Sequence, residues 1–536
     1  MSATSIRHVR VFGFLVAFAL LLAATLPARA QVTAFMQSVA EAAASDREIA
    51  AFYRDRGYQP LWTGSDAQSM ERREALLRAL QDASVHGLPA GRYDLAALDL
   101  NLRQITTERA LGQAEVEMSK LFLRYARDVT TGILEPRKVD GNIVREIPVR
   151  DRTELLSELA NANPNAFIRS LPPQTPEYAR LMKEKMRYEA LIARGGWGAT
   201  VQASKLEPGD TGNAVVQLRN RMIAMGYMPR SATSTYDTRI RQAVAAFQRD
   251  HGLASDGIAS ADTVREINAT AEKRLGQILV AMERERWTNM PRGDRHIWVN
   301  LTDFQSQIID DGKVTFVTKS VVGHRDVDRQ TPEFSDVMEH MVINPSWNVP
   351  RSIATKEYLP LLKRNPYAVS HLKLIDRRGR VISRDRVVDF NRFNERTFPF
   401  NMKQPPGRSN ALGLVKFMFP NRYNIYLHDT PEKELFGRDV RTFSFGCIRL
   451  NDPFDFAYEL LSKQEEDPER AFQRILGTGE ETQVNLEEHV PVHIVYRTAY
   501  TQAKGRMQFR LDVYGRDARI WNALEAAGVS LATGQG

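Results

Sequence analysis

The period of the hydrophobic pattern changes to that of strands near His296, and that change restricts the fold more than any other feature. Before it, apolar residues recur at i, i+3, i+4 and i+7, the spacing of a helix with one buried stripe. After it they alternate, as in Ile297, Val299 and Leu301, the spacing of a strand with one buried face. At 536 residues the chain exceeds what one ordinary core holds, so two to four domains are expected. The fold class that follows is multidomain α+β: a helical N-terminal region, a small three-helix module and a mostly β domain with an insertion. With 43% hydrophobic and 26% charged residues, disorder is excluded over most of the length.

The helical scaffold is expected over 31–200. Phe52, Tyr53, Tyr58 and Trp62 form an aromatic cluster broken by Gly57 and Pro60, and Leu76, Leu77, Leu80 and Ala83 recur at helical spacing. Met118 to Arg127 and Tyr178 to Ile192 read as amphipathic helices, separated by turns at Pro164, Pro172 and Pro173. These stripes read as core, and no chemistry is visible among them. Gly195-Gly196 and the polar stretch to Pro208 read as a linker. Over 206–270, Gly209 and Gly212 precede a helix carrying Val215, Leu218 and Met222. A second helix presents Ile240, Ala243, Val244 and Phe247, and a short third one runs from Thr263 to Ile267. The order G-x-x-G-x-x-V-x-x-L, A-V-x-x-F-Q, G-L, D-G and T resembles the type 1 peptidoglycan-binding domain, which implies a wall polymer as partner.

The first thirty residues stand apart. Arg7 and Arg10 precede a 16-residue apolar run, Val11 to Leu26, and Ala28-Arg29-Ala30 has a small-x-small cleavage pattern. This reads as a signal peptide over 1–30 with Gln31 as the mature start; an uncleaved anchor is the alternative, though the run is short for a span. Of the net charge of +8, three arginines lie in this segment, leaving a diffuse +5 that does not indicate nucleic acid.

A catalytic domain is expected over 295–478. Phe304 to Ile309 leads through Asp310-Asp311-Gly312 into Val314 to Val322, a hairpin signature. Further strands are read at Met341 to Ile343, Leu414 to Phe419 and Ile425 to His428. A charged, helix-like insertion at about 351–404 interrupts them. Asn451-Asp452-Pro453 starts a helix. The segment 479–536 offers a hairpin between Val490–Tyr496 and Met507–Val513, turning near Lys504-Gly505, and a tail that packs on the catalytic or the scaffold domain.

There is one cysteine, Cys447, in a chain expected to be exported to an oxidising compartment. It cannot form an intramolecular disulfide, and a Cys-rich zinc site is excluded. It lies 19 residues after His428, in S-F-G-C-I-R-L-N. A nearby imidazole can take a thiol proton and stabilise the anion. Gly446 permits positive φ or close substrate approach, the Cys447 N–H can face an oxyanion, and Arg449 offers a fork for a carboxylate. His489 and His493 stand at i, i+4 in an alternating strand with Pro491 between them and no third ligand, so no metal is read there and no cofactor is expected. Arg408 and Asn410 can contact substrate or simply serve a Gly/Pro-rich turn.

The block from Tyr423 to Asn451 resembles the signature of L,D-transpeptidases with a YkuD-type catalytic domain. The resemblance implies Cys447 as nucleophile and His428 as proton donor and acceptor, with Ser444, Gly446, Arg449 and Tyr426 at the substrate or oxyanion. Val321-Val322-Gly323, Thr331-Pro332 and Asn344 to Pro350 extend it, and the order of parts resembles large Gram-negative members with a scaffold, a peptidoglycan-binding module and a lid. It implies a periplasmic enzyme that forms 3→3 cross-links through a Cys447 thioester, releasing D-Ala from tetrapeptide stems. It also implies carbapenem acylation and partners among stem peptides, glycan and other wall-synthesis proteins. Two departures stand out: Phe445 replaces a common second histidine, leaving His428 as the sole nearby base, and Asp429-Thr430 stands where smaller members have glycine. The alternatives are a carboxypeptidase or D-amino-acid exchange enzyme using the same acyl-enzyme, and a non-catalytic wall-binding scaffold. Oligomeric state is not legible.

Overall fold

The computed structural model describes residues 32–94, 104–383, 389–503 and 505–531, so the expected signal peptide lies outside the described residues. The chain forms two compact units. The first comprises the described residues up to Ala79 and those within Asp94–Arg124 and Arg150–Ile168. Its helices Ala34–Ala43, Arg47–Asp55 and Arg152–Asn161 start where Thr33, Asp46 and Asp151 accept hydrogen bonds from first-turn N–H groups. The aromatic cluster is organised by one buried carboxylate. Glu115 accepts the N–H groups of Leu61, Trp62 and Thr63 and the hydroxyls of Thr63 and Tyr53. A buried charge so fully bonded is tolerated, and it fixes the turn containing Pro60.

The second unit takes Leu80–Tyr93, Tyr125–Val149 and everything from Arg169. Within it, helices Asn213–Ala224, Thr238–Asp250 and Ala261–Ile267 bury Val215, Leu218, Met222, Ile240, Val244 and Phe247 in one small core. The stretch read as a linker is not a free tether. Val201 is buried and exchanges two hydrogen bonds with Asn268, while Trp197 packs edge-on against Tyr188.

The next helix, Ala271–Trp287, went unread in the sequence. It buries 14 of its 17 residues, including Arg274, Glu283, Arg284, Glu285 and Arg286, so it shows no polar face. Its charges are paired: Arg284 meets Glu333 at 2.6 Å and Asp517 at 2.8 Å, and Arg286 meets Glu283 at 2.8 Å.

The strands, in chain order, are β1 Arg295–Asn300, β2 Gln305–Asp310, β3 Lys313–Gly323, β4 Phe334–Ile343, β5 Trp347–Asn348, β6 Lys373–Ile375, β7 Val381–Ile382, β8 Asn401–Gln404, β9 Val415–Met418, β10 Leu427–His428, β11 Thr442–Ser444, β12 Ile448–Leu450, β13 Thr482–Val495, β14 Ala499–Thr501 and β15 Met507–Phe509. Nine form one sheet in the order β11-β3-β12-β10-β9-β4-β13-β1-β2, and β2 also pairs with β3, which closes the sheet on itself. Ile297, Val299, Met341, Ile343, Phe417, Leu427, Ile448 and Ile494 fill its interior with the helix Pro453–Leu461.

Two expectations need correction. Val490–Tyr496 is not one arm of a tail hairpin: β13 runs antiparallel to β4 and parallel to β1 inside the main sheet. The hairpin joins β14 to β15 instead. A strand period identifies a strand and not its partner. The insertion, in turn, is only partly helical. A helical stretch over Arg351–Arg364, loosened by a π turn at Ala354–Tyr358, packs with a second sheet, β5-β8-β6-β7, around Leu362, Leu374, Phe398 and Met402. Strands of two to four residues are too short to show alternation.

Candidate active site

The parallel pairing of β10 with β12 sets Leu427 beside Ile448 and His428 beside Arg449. On the other side of β10, His428 pairs with Lys416 of β9. Lys416, His428 and Arg449 therefore form one cross-strand row on one face of the sheet. Cys447 immediately precedes β12. It follows Gly446, whose φ of +114° is the left-handed region that glycine enters without strain.

That turn is held from below. The Thr331 hydroxyl donates to the Gly446 carbonyl (2.7 Å) and accepts from the Gly323 N–H (2.9 Å). A β-carbon on Gly323 would fall 2.3 Å from the Arg329 carbonyl, so the loop 324–330 can fold back only over glycine. The Val-Val-Gly and Thr-Pro motifs thus have a local physical reason.

Cys447, His428, Tyr426, Ser444 and Arg449 all line one cleft of about 1350 Å³. Its other walls are the loop Arg325–Arg329, the segment from Trp347 to Tyr358, Ala411-Leu412, Tyr423 to Ile425, Glu432 and Phe445. Gly446 sits in the turn rather than on the wall. Ser444 is buried, and its carbonyl accepts the His324 N–H at 2.7 Å. Asn410 is a turn tie: its amide donates to the carbonyls of Pro345 (3.1 Å) and Pro405 (2.8 Å). His493 is also committed, with Nδ1 on the Ser335 hydroxyl and Nε2 on the Arg292 carbonyl.

The resting electrostatics are specific. His428 is buried, and its Nδ1 lies 2.5 Å from the Asp429 carbonyl. A carbonyl only accepts, so Nδ1 carries the proton and Nε2 the lone pair. Burial, then the Arg449 charge, push this imidazole down to about 3. Burial raises the Cys447 thiol to about 11, against the lowering effects of the Tyr426 N–H and phenol, Arg449 and Lys416. The thiol donates to the Asn424 carbonyl at 3.5 Å rather than to His428. Both groups are therefore neutral at rest.

Arg449 is not free: its Nη1 is bonded to Glu432, while its buried Nε has no partner among the described residues. Phe445 is 42% exposed on the cleft wall, with the Arg329 guanidinium 5.2 Å from its ring centre. Two contributions went unread in the sequence, Lys416 and the Asn424 carbonyl, and Thr331 was read only within the Thr-Pro motif, without its bond to Gly446. A strand lysine and a backbone carbonyl carry no motif, and only the fold brings them to the thiol.

Three family models match the chain. A "Scaffold domain" covers 47–184, a "Putative peptidoglycan binding domain" covers 211–267, and an "L,D-transpeptidase catalytic domain" covers 294–489. A "Putative L,D-transpeptidase" of Haemophilus influenzae is 30% identical over 256 residues, 47% of this chain and 51% of that protein. The chain thus spans about half the length of this curated relative. Among solved structures, the L,D-transpeptidase of Xylanimonas cellulosilytica aligns with 55% of this chain and 98% of its own, at 13% identity and a TM-score of 0.17. That of Stackebrandtia nassauensis aligns with 56% and 97%, at 12% identity and a TM-score of 0.20.

Proposed function

We propose that this chain, which carries an L,D-transpeptidase catalytic domain with a scaffold and a peptidoglycan-binding domain, forms 3→3 peptidoglycan cross-links through a thioester on Cys447. The observation that carries the reading is the cleft in which the chain's one thiol shares walls with His428, Tyr426 and Arg449. The Cys447 thiol leaves the Asn424 carbonyl and gives its proton to His428 Nε2 as sulfur attacks the carbonyl of the third residue of a tetrapeptide stem. The Cys447 N–H and the Tyr426 phenol stabilise the oxyanion. The peptide C–N bond breaks, His428 returns the proton to the leaving amine, and D-Ala departs. A second stem's amine then displaces the thiolate.

Arg449 binds a stem carboxylate once Glu432 yields, and the insertion at about 351–404 acts as a lid that excludes water. Domains that act on peptidoglycan accord with a cell-wall location, and residues 1–30 are the export signal to the periplasm. No helix among the described residues is long and apolar enough to cross a membrane.

Incubation with disaccharide-tetrapeptide and mass analysis of the products tests the reading. A dimer lacking one D-Ala, and a meropenem adduct on Cys447, are expected, both abolished by Cys447→Ala. Tripeptide alone would make the enzyme a carboxypeptidase. Dimer formation that survives Cys447→Ala would sink the mechanism.

A further inference from the structure

A second recess of about 440 Å³ adjoins the cleft, and Tyr423 lines both. One wall comes from the catalytic sheet and its loops, with Phe334, Asp336 and Arg422. The other comes from far upstream: Val144, Arg145 and Glu146, within the stretch that matches the scaffold domain. This segment is built in rather than draped. Ile143 bridges Glu333 in parallel, the Val144 N–H donates to the Glu333 carbonyl (3.0 Å), and the Glu333 N–H donates to the Asn142 carbonyl (2.8 Å). Arg145 anchors it, reaching the Ser335 hydroxyl at 3.0 Å and the Ile494 carbonyl at 2.6 Å.

Arg145 is thus committed, but the other charged side chains of the recess are not ion-paired among the described residues. Arg422 donates only to the Tyr423 hydroxyl (2.9 Å), and neither it, Glu146 nor Asp336 makes an ion pair among the described residues. Burial, with the Glu339 charge, raises the Asp336 carboxyl against the lowering effect of the Val337 N–H. A volume in the range of ligand pockets, walled by two aromatic rings and by charges of both signs, suits a zwitterionic peptide. No residue of the insertion lines it, whereas Trp347 to Tyr358 line the main cleft.

We propose that this recess receives the acceptor stem, an amine- and carboxylate-bearing peptide, and delivers its amine past Tyr423 to the thioester on Cys447. The inference rests on the reading above. Transpeptidation needs two substrates at one sulfur, and the donor occupies the cleft that holds Cys447. The acceptor needs a path that the donor and the lid leave open. On arrival its nitrogen bonds to the acyl carbon, the carbon–sulfur bond breaks, Cys447 leaves as thiolate, and the amine proton passes through His428 back to sulfur. Arg422 faces the acceptor's carboxylate; Glu146 and Asp336 face its ammonium group before deprotonation.

The test uses the full chain with disaccharide-tetrapeptide, following acyl-enzyme formation by intact mass and the ratio of cross-linked dimer to hydrolysed tripeptide. Arg422→Glu and Glu146→Lys alter exposed side chains. Each is expected to lower the dimer-to-tripeptide ratio about tenfold while acylation stays within about twofold of the parent. An unchanged ratio in both variants overturns the proposal, and so does a fall in acylation that accounts for all the lost dimer, which would make the recess a donor site. Absence of any acyl-enzyme on the unsubstituted chain would overturn the parent reading, and this one with it.

Discussion

Cys447 and His428 shift in opposite directions for one reason. Burial disfavours charge, so the thiol rises to about 11 and the imidazole falls to about 3. The free enzyme therefore holds a neutral pair rather than a thiolate–imidazolium pair, and the proton moves only as sulfur attacks. Alkylation by iodoacetamide requires the thiolate, so its rate should climb about tenfold per pH unit from pH 7 to beyond pH 9. A plateau below pH 8 would contradict this. His428→Asn should leave alkylation at high pH nearly intact while slowing acylation by stem peptide roughly 10²–10⁴-fold at neutral pH. Phe445 offers no proton, and its stacking under Arg329 contributes about 0.5–1 kcal/mol at such an exposed site. Phe445→His should accordingly change stability by no more than that, measured by urea unfolding, and leave acylation near the parent rate. A large rate gain would mean that the second histidine was needed after all.

At the scale of elements, the nucleophile turn is positioned by parts remote in sequence. The helix Arg516–Ala526 begins with Arg516, which is fully buried and donates to the Thr331 carbonyl (2.8 Å) and to Glu333 (3.0 Å). Thr331 in turn carries Gly446. Arg516→Leu breaks a buried charge network and should cost about 3–5 kcal/mol, read from urea unfolding. A loss below about 1 kcal/mol would place the load elsewhere. None of this network was legible. Periodicity identified the three-helix module, β2 with β3, and the helix start at Pro453, because each has one wet face and local turn chemistry. It missed the helix Ala271–Trp287, whose charges are buried against partners up to 233 residues away, and it could not pair β13. The motif brought Cys447 and His428 together on paper. The partner each now bonds, Asn424 for the thiol and Asp429 for the imidazole, depends on backbone carbonyls that no side-chain pattern encodes.

Within the second unit, the three-helix module and the closed sheet share an interface made by the β14–β15 hairpin. Phe509 stacks on His251 at 5.5 Å, the Gln508 amide donates to Asp250 (3.0 Å), Arg510 donates to the Asp250 carbonyl (3.1 Å), and Arg506 lies 4.6 Å from the Tyr227 ring centre. Burial holds His251 well below its ordinary value, so it stays neutral against the ring. This is an apolar stack framed by hydrogen bonds, not a flexible tether, and the β14–β15 hairpin that carries Phe509 follows β13 of the sheet after three residues. The module should then open together with the sheet. Hydrogen exchange in rising denaturant should release the helix Thr238–Asp250 and strand β13 at the same concentration. Phe509→Ala removes a buried ring at a cost of about 3–5 kcal/mol, and much of that loss falls on the interface. In this variant the helix should exchange at a lower denaturant concentration than β13. If the helix already exchanges earlier in the parent, the module is an independent wall anchor, and the interface does not set where peptidoglycan meets the cleft.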